Sequence, residues 1–260
     1  GENGIPVLVL DRPNPLGGKK IEGPILDLDH QSFVGYYPIP IRYGMTIGEL
    51  AKMIVGEEWI RTIPELDVIE MSGWDRSMYF DDTGLTWVKP SPNIPDIETA
   101  IIYPGMCLVE GTNISEGRGT DHPFKYIGAP WMAEEVCMDL QGMKKLKGVE
   151  FIKRKFRPRP IKGVVNSPKY DGKSCIGFKV RVKDRAQYNS VLVGVQALYT
   201  TRNLTPWKLQ LKQEHLNRLW GNDKLTKVLN DKLALVELLS TLDKDRTTFL
   251  QKRTPYLLYE

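Results

Sequence analysis

The segment Glu110-Gly111-Thr112-Asn113-Ile114-Ser115-Glu116-Gly117-Arg118-Gly119-Thr120 places two carboxylates, an Arg, an Asn and three Gly in one loop. It follows the apolar run Met106 to Val109 directly. Glycines let a backbone turn tightly and approach a ligand, and an Arg offers a planar fork of donors that fits a carboxylate or phosphate. The loop therefore reads as a recognition site. A solvated surface loop of ordinary charged composition is the competing reading.

Three apolar runs in the first half share one design and would position such loops. Val7 to Leu10 runs into Asp11-Arg12-Pro13-Asn14-Pro15, Leu66 to Met71 into Ser72-Gly73-Trp74-Asp75-Arg76, and Met106 to Val109 into Glu110. Continuous apolar character suits strands covered on both faces, as in the parallel sheets of α/β proteins. Ligands of open parallel sheets bind outside the carboxyl ends of the strands, so these three ends are expected to meet at one crevice. Between the runs, Thr46 and Glu49 have capping-box spacing at the start of a helix from Thr46 to Ile54. A second helix is expected over about 133–145, with Glu134 and Glu135 first and Lys144 and Lys145 last, matching the helix dipole.

The texture changes near Gly148. Val149 to Arg157 and Cys175 to Val182 alternate like exposed strands, and helical periods follow at about 185–199, 225–239 and 243–251. The chain is thus expected to be α/β: residues 1–147 form a parallel-sheet part and residues 148–260 a smaller α+β part.

Its 260 residues, 41% hydrophobic and 26% charged, lie in the ordinary globular range. No apolar run approaches the roughly 18 residues that span a bilayer, and the first ten residues lack a signal peptide's basic start and apolar core. The chain reads as soluble, and its entry from Gly1 almost directly into a strand-like run reads as a fragment or processed product. Cys107, Cys137 and Cys175, like His30, His122 and His215, lie far apart, so neither a disulfide framework nor a metal site is expected. The net charge is +4, and much of the positive charge falls at Lys144 to Lys147 and Lys153 to Arg159. No interleaved aromatics accompany it, so nucleic acid is not expected as a partner. No Gly-x-Gly-x-x-Gly follows a strand, which leaves dinucleotide binding without its fingerprint.

Asp11 to Pro15, Gly44 to Ala51, Ser91-Pro92-Asn93, Glu110 to Thr120 and Gly128-Ala129-Pro130-Trp131 together resemble the exo-β-N-acetylmuramidase (NamZ-type) glycoside hydrolases. Cys175-Ile176-Gly177 and Arg253 to Tyr259 extend the resemblance over nearly the whole chain. It implies a Rossmann-like domain, partial here, followed by an auxiliary domain, with the active cleft between them. It also implies release of N-acetylmuramic acid from the non-reducing ends of peptidoglycan fragments, no cofactor, and export from the cytoplasm. Family members carry a Pro-Glu-His-Gly motif whose Glu is a catalytic candidate; this chain lacks it, and one catalytic group is expected outside these residues. Lys125 stands where the family favours Glu.

Within that resemblance, Glu116 and Glu110 are the catalytic candidates, since glycoside hydrolysis ordinarily uses two carboxyl groups. Glu116 ranks first because Gly117 and Arg118 adjoin it; an ion pair with Arg118 is its structural alternative. Muramic acid adds a lactyl carboxylate, which asks for a cation. Arg118 and Arg12 lead, ahead of Arg42 and Arg76, with an Asp11–Arg12 salt bridge as the equal alternative for Arg12. Asn14, Asn93 and Asn113 suit sugar hydroxyls and the acetamido group, or simply form turns. Asp11 completes the substrate-binding set. Trp74, Trp87 and Trp131 could stack on a sugar, with burial the commoner fate, and Asp75 and Arg76 could pair. A non-catalytic glycan-binding or scaffold protein on the same fold is the second reading.

Overall fold

The computed structural model describes residues 1–260. Its first part comprises β1 (Val7–Leu10), β2 (Glu22–Ile25), β3 (Pro40–Arg42), α1 (Ile47–Gly56), β4 (Leu66–Ile69) and α2 (Ile97–Met106). β1 and β4 pair in parallel, Val7 opposite Leu66 through Leu10 opposite Ile69, and β2 pairs antiparallel with β3. The capping box forms: Thr46 N donates to Glu49 Oε2 at 2.9 Å and Glu49 N to Thr46 Oγ1 at 3.2 Å.

The parallel pair is not buried on both faces as its apolar run predicts. Val68, opposite Val9, lies beneath α1, against Gly48. Leu8 and Leu10, on the other face, are 60% and 67% exposed, and Ile69 beside Leu10 is 54% exposed. One helix covers one side of a two-stranded sheet, and alternation along a strand sends every second residue to the uncovered side.

The third expected strand is also corrected. Met106 ends α2, and Cys107–Gly111 forms a 3-10 turn. Asp96 caps α2 by accepting from Thr99 N at 2.8 Å, and Ile101, Ile102 and Met106 are buried. A four-residue apolar run carries no period that separates a strand from a buried helical turn, and Pro104 within the helix obscures the 3.6-residue pattern.

The remainder comprises β5 (Tyr126–Ala129), α3 (Glu135–Gly142), β6 (Val149–Phe156), β7 (Cys175–Val182), α4 (Ser190–Leu204), α5 (Gln213–Trp220), α6 (Lys224–Leu229) and α7 (Leu235–Arg253). The two helices expected at 225–239 and 243–251 are thus the short α6 and the long α7. β5, β7 and β6 form one antiparallel sheet in that order, so residues on both sides of Gly148 share a sheet. The main core packs this sheet against α2, α3 and α4 through residues such as Phe178, Val180, Ile102, Val195 and Leu198. A smaller cluster of Ile21, Met45, Met53 and Phe249 brings α7 back onto the first part.

Candidate functional site

The ends of β1 and β4 do converge, on a cavity of about 440 Å³ lined by Asp11, Arg12, the segment from Met71 to Trp74, and Asp82. Asp11 is fully occupied there. It accepts from Gly48 N at 2.8 Å, Arg12 N at 2.9 Å, Thr46 Oγ1 at 2.7 Å and Tyr259 Oη at 2.7 Å. The carboxylate thus caps α1 and anchors the end of the chain. The Asp11–Arg12 salt bridge does not form, and the Arg12 guanidinium has no protein partner. Arg76 pairs with buried Glu49 at 2.6 Å instead of with Asp75, which accepts from Ser77 N at 2.7 Å.

The Glu110 loop faces a different and larger groove, about 750 Å³, whose walls include Asn14, Arg42, Tyr43, Trp87, Tyr103 and Glu110. The segment Asp11 to Leu16 separates the two spaces, contributing Arg12 to one and Asn14 to the other. Three ends at one crevice was the expectation; two meet at the smaller cavity, and the helical third presents Glu110 alone of its polar loop to the groove.

Most of that loop is buried rather than solvated, with Thr112, Ile114, Ser115 and Glu116 each at most 5% exposed. Its glycines serve packing. Gly117 and Gly119 have φ of 76° and 81°, a left-handed conformation that favours Gly. A Cβ at Gly117 would run into the Tyr126 carbonyl oxygen, and one at Gly119 into that of Arg159. The close approach is to the protein's own backbone.

Glu110 and Glu116 have different environments. Glu116 lies 3.0 Å from Lys169 Nζ and 3.8 Å from Arg118 Nε. Lys169 Nζ also donates to the carbonyls of Ile114 at 2.9 Å and Val109 at 3.2 Å, stitching the loop from inside. Sequence reasoning missed Lys169, which lies in a turn-rich stretch 53 positions beyond Glu116. Glu110 accepts from Arg118 Nη2 at the groove wall. Burial pushes its carboxyl above the usual range, and the Glu116 charge adds to this, while Arg118 and Lys169 oppose it. The neighbouring Tyr103 phenol is pushed up to about 12, mainly by burial. Arg118 rests over the Phe124 ring, 5.2 Å from its centroid. A half-buried carboxyl whose pKa is raised in spite of a neighbouring cation suits proton donation.

The remaining candidates divide between wall and scaffold. Arg42 is buried, bonded to Glu22 Oε1 at 2.7 Å and to the Leu16 carbonyl. Asn14 donates to the Met45 carbonyl at 2.8 Å and accepts from Leu16 N at 2.9 Å, a turn role at the groove wall. Asn113 is likewise spent on Lys208 O and Gln210 N, each at 2.9 Å. Asn93 Oδ1 is buried with no protein partner, between the groove residues Ser91 and Ile94. Trp87 lines the groove, whereas Trp74 packs edge-on against Tyr259 and Trp131 donates to Tyr170 Oη at 2.8 Å. Lys125 pairs with Glu98 at 2.7 Å and Asp96 at 3.0 Å, tying β5 to the start of α2. No three His, Cys, Asp or Glu side chains converge in a way that could hold a metal ion.

Two family models match in tandem: exo-β-N-acetylmuramidase NamZ, N-terminal, over residues 1–98, and its C-terminal counterpart over residues 101–259. The chain belongs to the NamZ family. It is 40% identical over 259 residues to the peptidoglycan β-N-acetylmuramidase NamZ of Bacillus subtilis (strain 168), covering 99% of this chain and 60% of that protein. The chain therefore spans about three-fifths of the length of this curated relative. Crystal structures of two DUF1343 family proteins from Bacteroides fragilis NCTC 9343 superpose on the whole chain and on 67% of theirs. One is 28% identical with a TM-score of 0.91, the other 32% identical with a TM-score of 0.79. The two NamZ-family models meet near the start of α2, the helix that packs on α4 in the main core.

Proposed function

We propose that the protein to which this chain belongs is an exo-acting glycosidase that releases N-acetylmuramic acid from the non-reducing ends of peptidoglycan fragments. Family membership supports the substrate class, and the Glu110 environment carries the chemistry. In this reading Glu110 donates a proton to the glycosidic oxygen. Glu116, held by Lys169 and Arg118, acts chiefly by fixing the loop that presents Glu110. Recognition of the lactyl carboxylate falls to Arg118, bonded to Glu110 behind the groove wall, and Arg12 at the strand ends; Arg42 and Asn14 line the groove, Asp11 lines the smaller cavity, and Asn93 and Asn113 hold adjoining loops. In this reading the protein acts outside the cytoplasm. No helix of this chain is long and apolar enough to cross a membrane.

A non-catalytic glycan-binding role on the same fold is the second reading, favoured by the pairing of both carboxylates with cations. One assay separates the two. The full-length protein is expected to release N-acetylmuramic acid from a chromogenic muramide, and Glu110→Gln to lower turnover by about 10²–10⁴, the range for a lost general acid. Glu110→Gln turning over at the parental rate excludes the proton-donor role. No release by the parent protein favours the binding role.

A further inference from the structure

The charge of this chain is divided unevenly. Residues 144–183 hold fourteen Lys and Arg against two Asp and Glu, a net +12, so the other residues of a chain totalling +4 carry −8. The groove lies largely outside this segment.

Eight of the fourteen lie on or beside one structural feature, the outer edge of the three-stranded sheet, while Lys179 and Arg181 lie on its central strand and Lys169 faces Glu116. β6 is an edge strand, paired only with β7. Lys153 and Lys155 are exposed on one face of it and Arg154 on the other, and exposed Arg157 and Arg159 follow its end. Lys144, Lys145 and Lys147 extend it in the other direction, in the turn before the strand. At about 3.3 Å per residue the eight residues of β6 alone span roughly 26 Å. Counter-charges are few: Glu150 is taken by Arg181, and Glu134 lies 3.6 Å from Lys153. Lysines on an edge strand also block pairing with another sheet. That role requires one or two such residues, and it accounts for neither the turn before the strand nor the arginines after it.

We infer that this edge is a docking track for a linear phosphodiester polymer of polyol or sugar units. Repeated cations in a row match a polymer with a repeated anion, and each neutralised phosphate releases condensed counterions. The track offers bases nothing to stack on, since Phe151 and Phe156, the aromatics of β6, are buried. It likewise shows no apolar row to enter a bilayer. Choosing a cell-wall polymer among phosphate chains rests on the peptidoglycan reading above. Docked there, the polymer would hold the enzyme on the wall while leaving the groove free.

The test is binding of labelled poly(glycerol phosphate) to the full-length protein, read by fluorescence anisotropy between about 50 and 200 mM salt. If four phosphates are neutralised, affinity falls roughly 50-fold across that range at the single-strand slope. The variant Lys153→Glu/Arg154→Glu/Lys155→Glu is expected to lose at least about tenfold in affinity at the lower salt. Arg157→Glu/Arg159→Glu, outside the strand, serves if the triple variant does not fold. Oligothymidylate of equal charge and phosphatidylglycerol vesicles are the comparison probes, and the polyol polymer is expected to bind at least as tightly as either. Absence of binding by the parent protein, unchanged affinity in the folded variants, or tighter binding of oligothymidylate or vesicles each overturns the proposal. Muramide turnover is read separately: its absence with polymer binding intact sinks the glycosidase reading and leaves the track standing.

Discussion

If Glu110 is the proton donor proposed above, it can act only while it holds a proton, and its environment would then set the alkaline limit of activity. Burial raises its pKa, and Arg118, by charge and by hydrogen bond, pulls it back down. Replacing Arg118 with Met removes the lowering influence, so the protonated form should persist to higher pH. The alkaline limb of the kcat/KM profile for muramide hydrolysis is expected to shift upward, even if KM worsens. A limb that stays in place or moves down would take Glu110 out of the proton-donor role.

At the scale of elements, the contact between α2 and α4 decides how the loop is presented, because the 3-10 turn bearing Glu110 continues directly from α2. Gly105 on α2 and Gly194 on α4 face each other, and a Cβ on either would strike backbone of the opposite helix, Ser190 O for one and Gly105 O for the other. Ser190 Oγ fixes the crossing by accepting from Gly105 N at 2.9 Å and donating to Ile102 O at 2.9 Å. An Ala in place of a helical Gly ordinarily stabilises by up to about 1 kcal/mol. Gly105→Ala is expected to reverse that sign and cost about 2–3 kcal/mol through overpacking. Gly142→Ala, where a Cβ meets nothing within 4 Å, is the control that should be neutral or stabilising. Thermal unfolding of both variants measures the contrast, and equal midpoints would show that the helices separate at little cost.

Across the whole molecule, the end of the chain closes onto its beginning. Arg253 Nη1 donates to the carbonyls of Gly18 at 2.9 Å, Tyr43 at 3.1 Å and Gly44 at 2.5 Å. Burial and nearby Arg76 lower its pKa to about 10. Leu258 N donates to Glu49 Oε1 at 2.9 Å, and Arg76 N to Glu260 O at 2.8 Å. Arg253→Ala should cost about 3 kcal/mol or more, because hydrogen bonds from a charged donor are worth about 1.5–3 kcal/mol each and buried carbonyls lose a partner. Arg253→Lys should recover only part of this, because its shorter stem does not carry the ammonium to the position of Nη1, which makes all three bonds. Denaturant midpoints for both variants check the order; parental stability in Arg253→Ala would mean the closure rests on apolar packing alone.

Short-range rules made several parts legible in the sequence. The Thr46–Glu49 capping box, the strands β1, β4, β6 and β7 and the family motifs all depend on residue order and near-neighbour chemistry. So did the presence of a Glu and an Arg at the end of the Met106 to Val109 run. Tertiary structure decided what those elements touch. It made the third run a helical end, left Leu8 and Leu10 uncovered, and set Lys169 against Glu116 and Arg76 against Glu49. It also divided the strand ends from the Glu110 groove. The physical reason is that a side chain's pKa and partners depend on which groups from distant segments bury or pair with it. Periodicity and spacing carry no information about those neighbours.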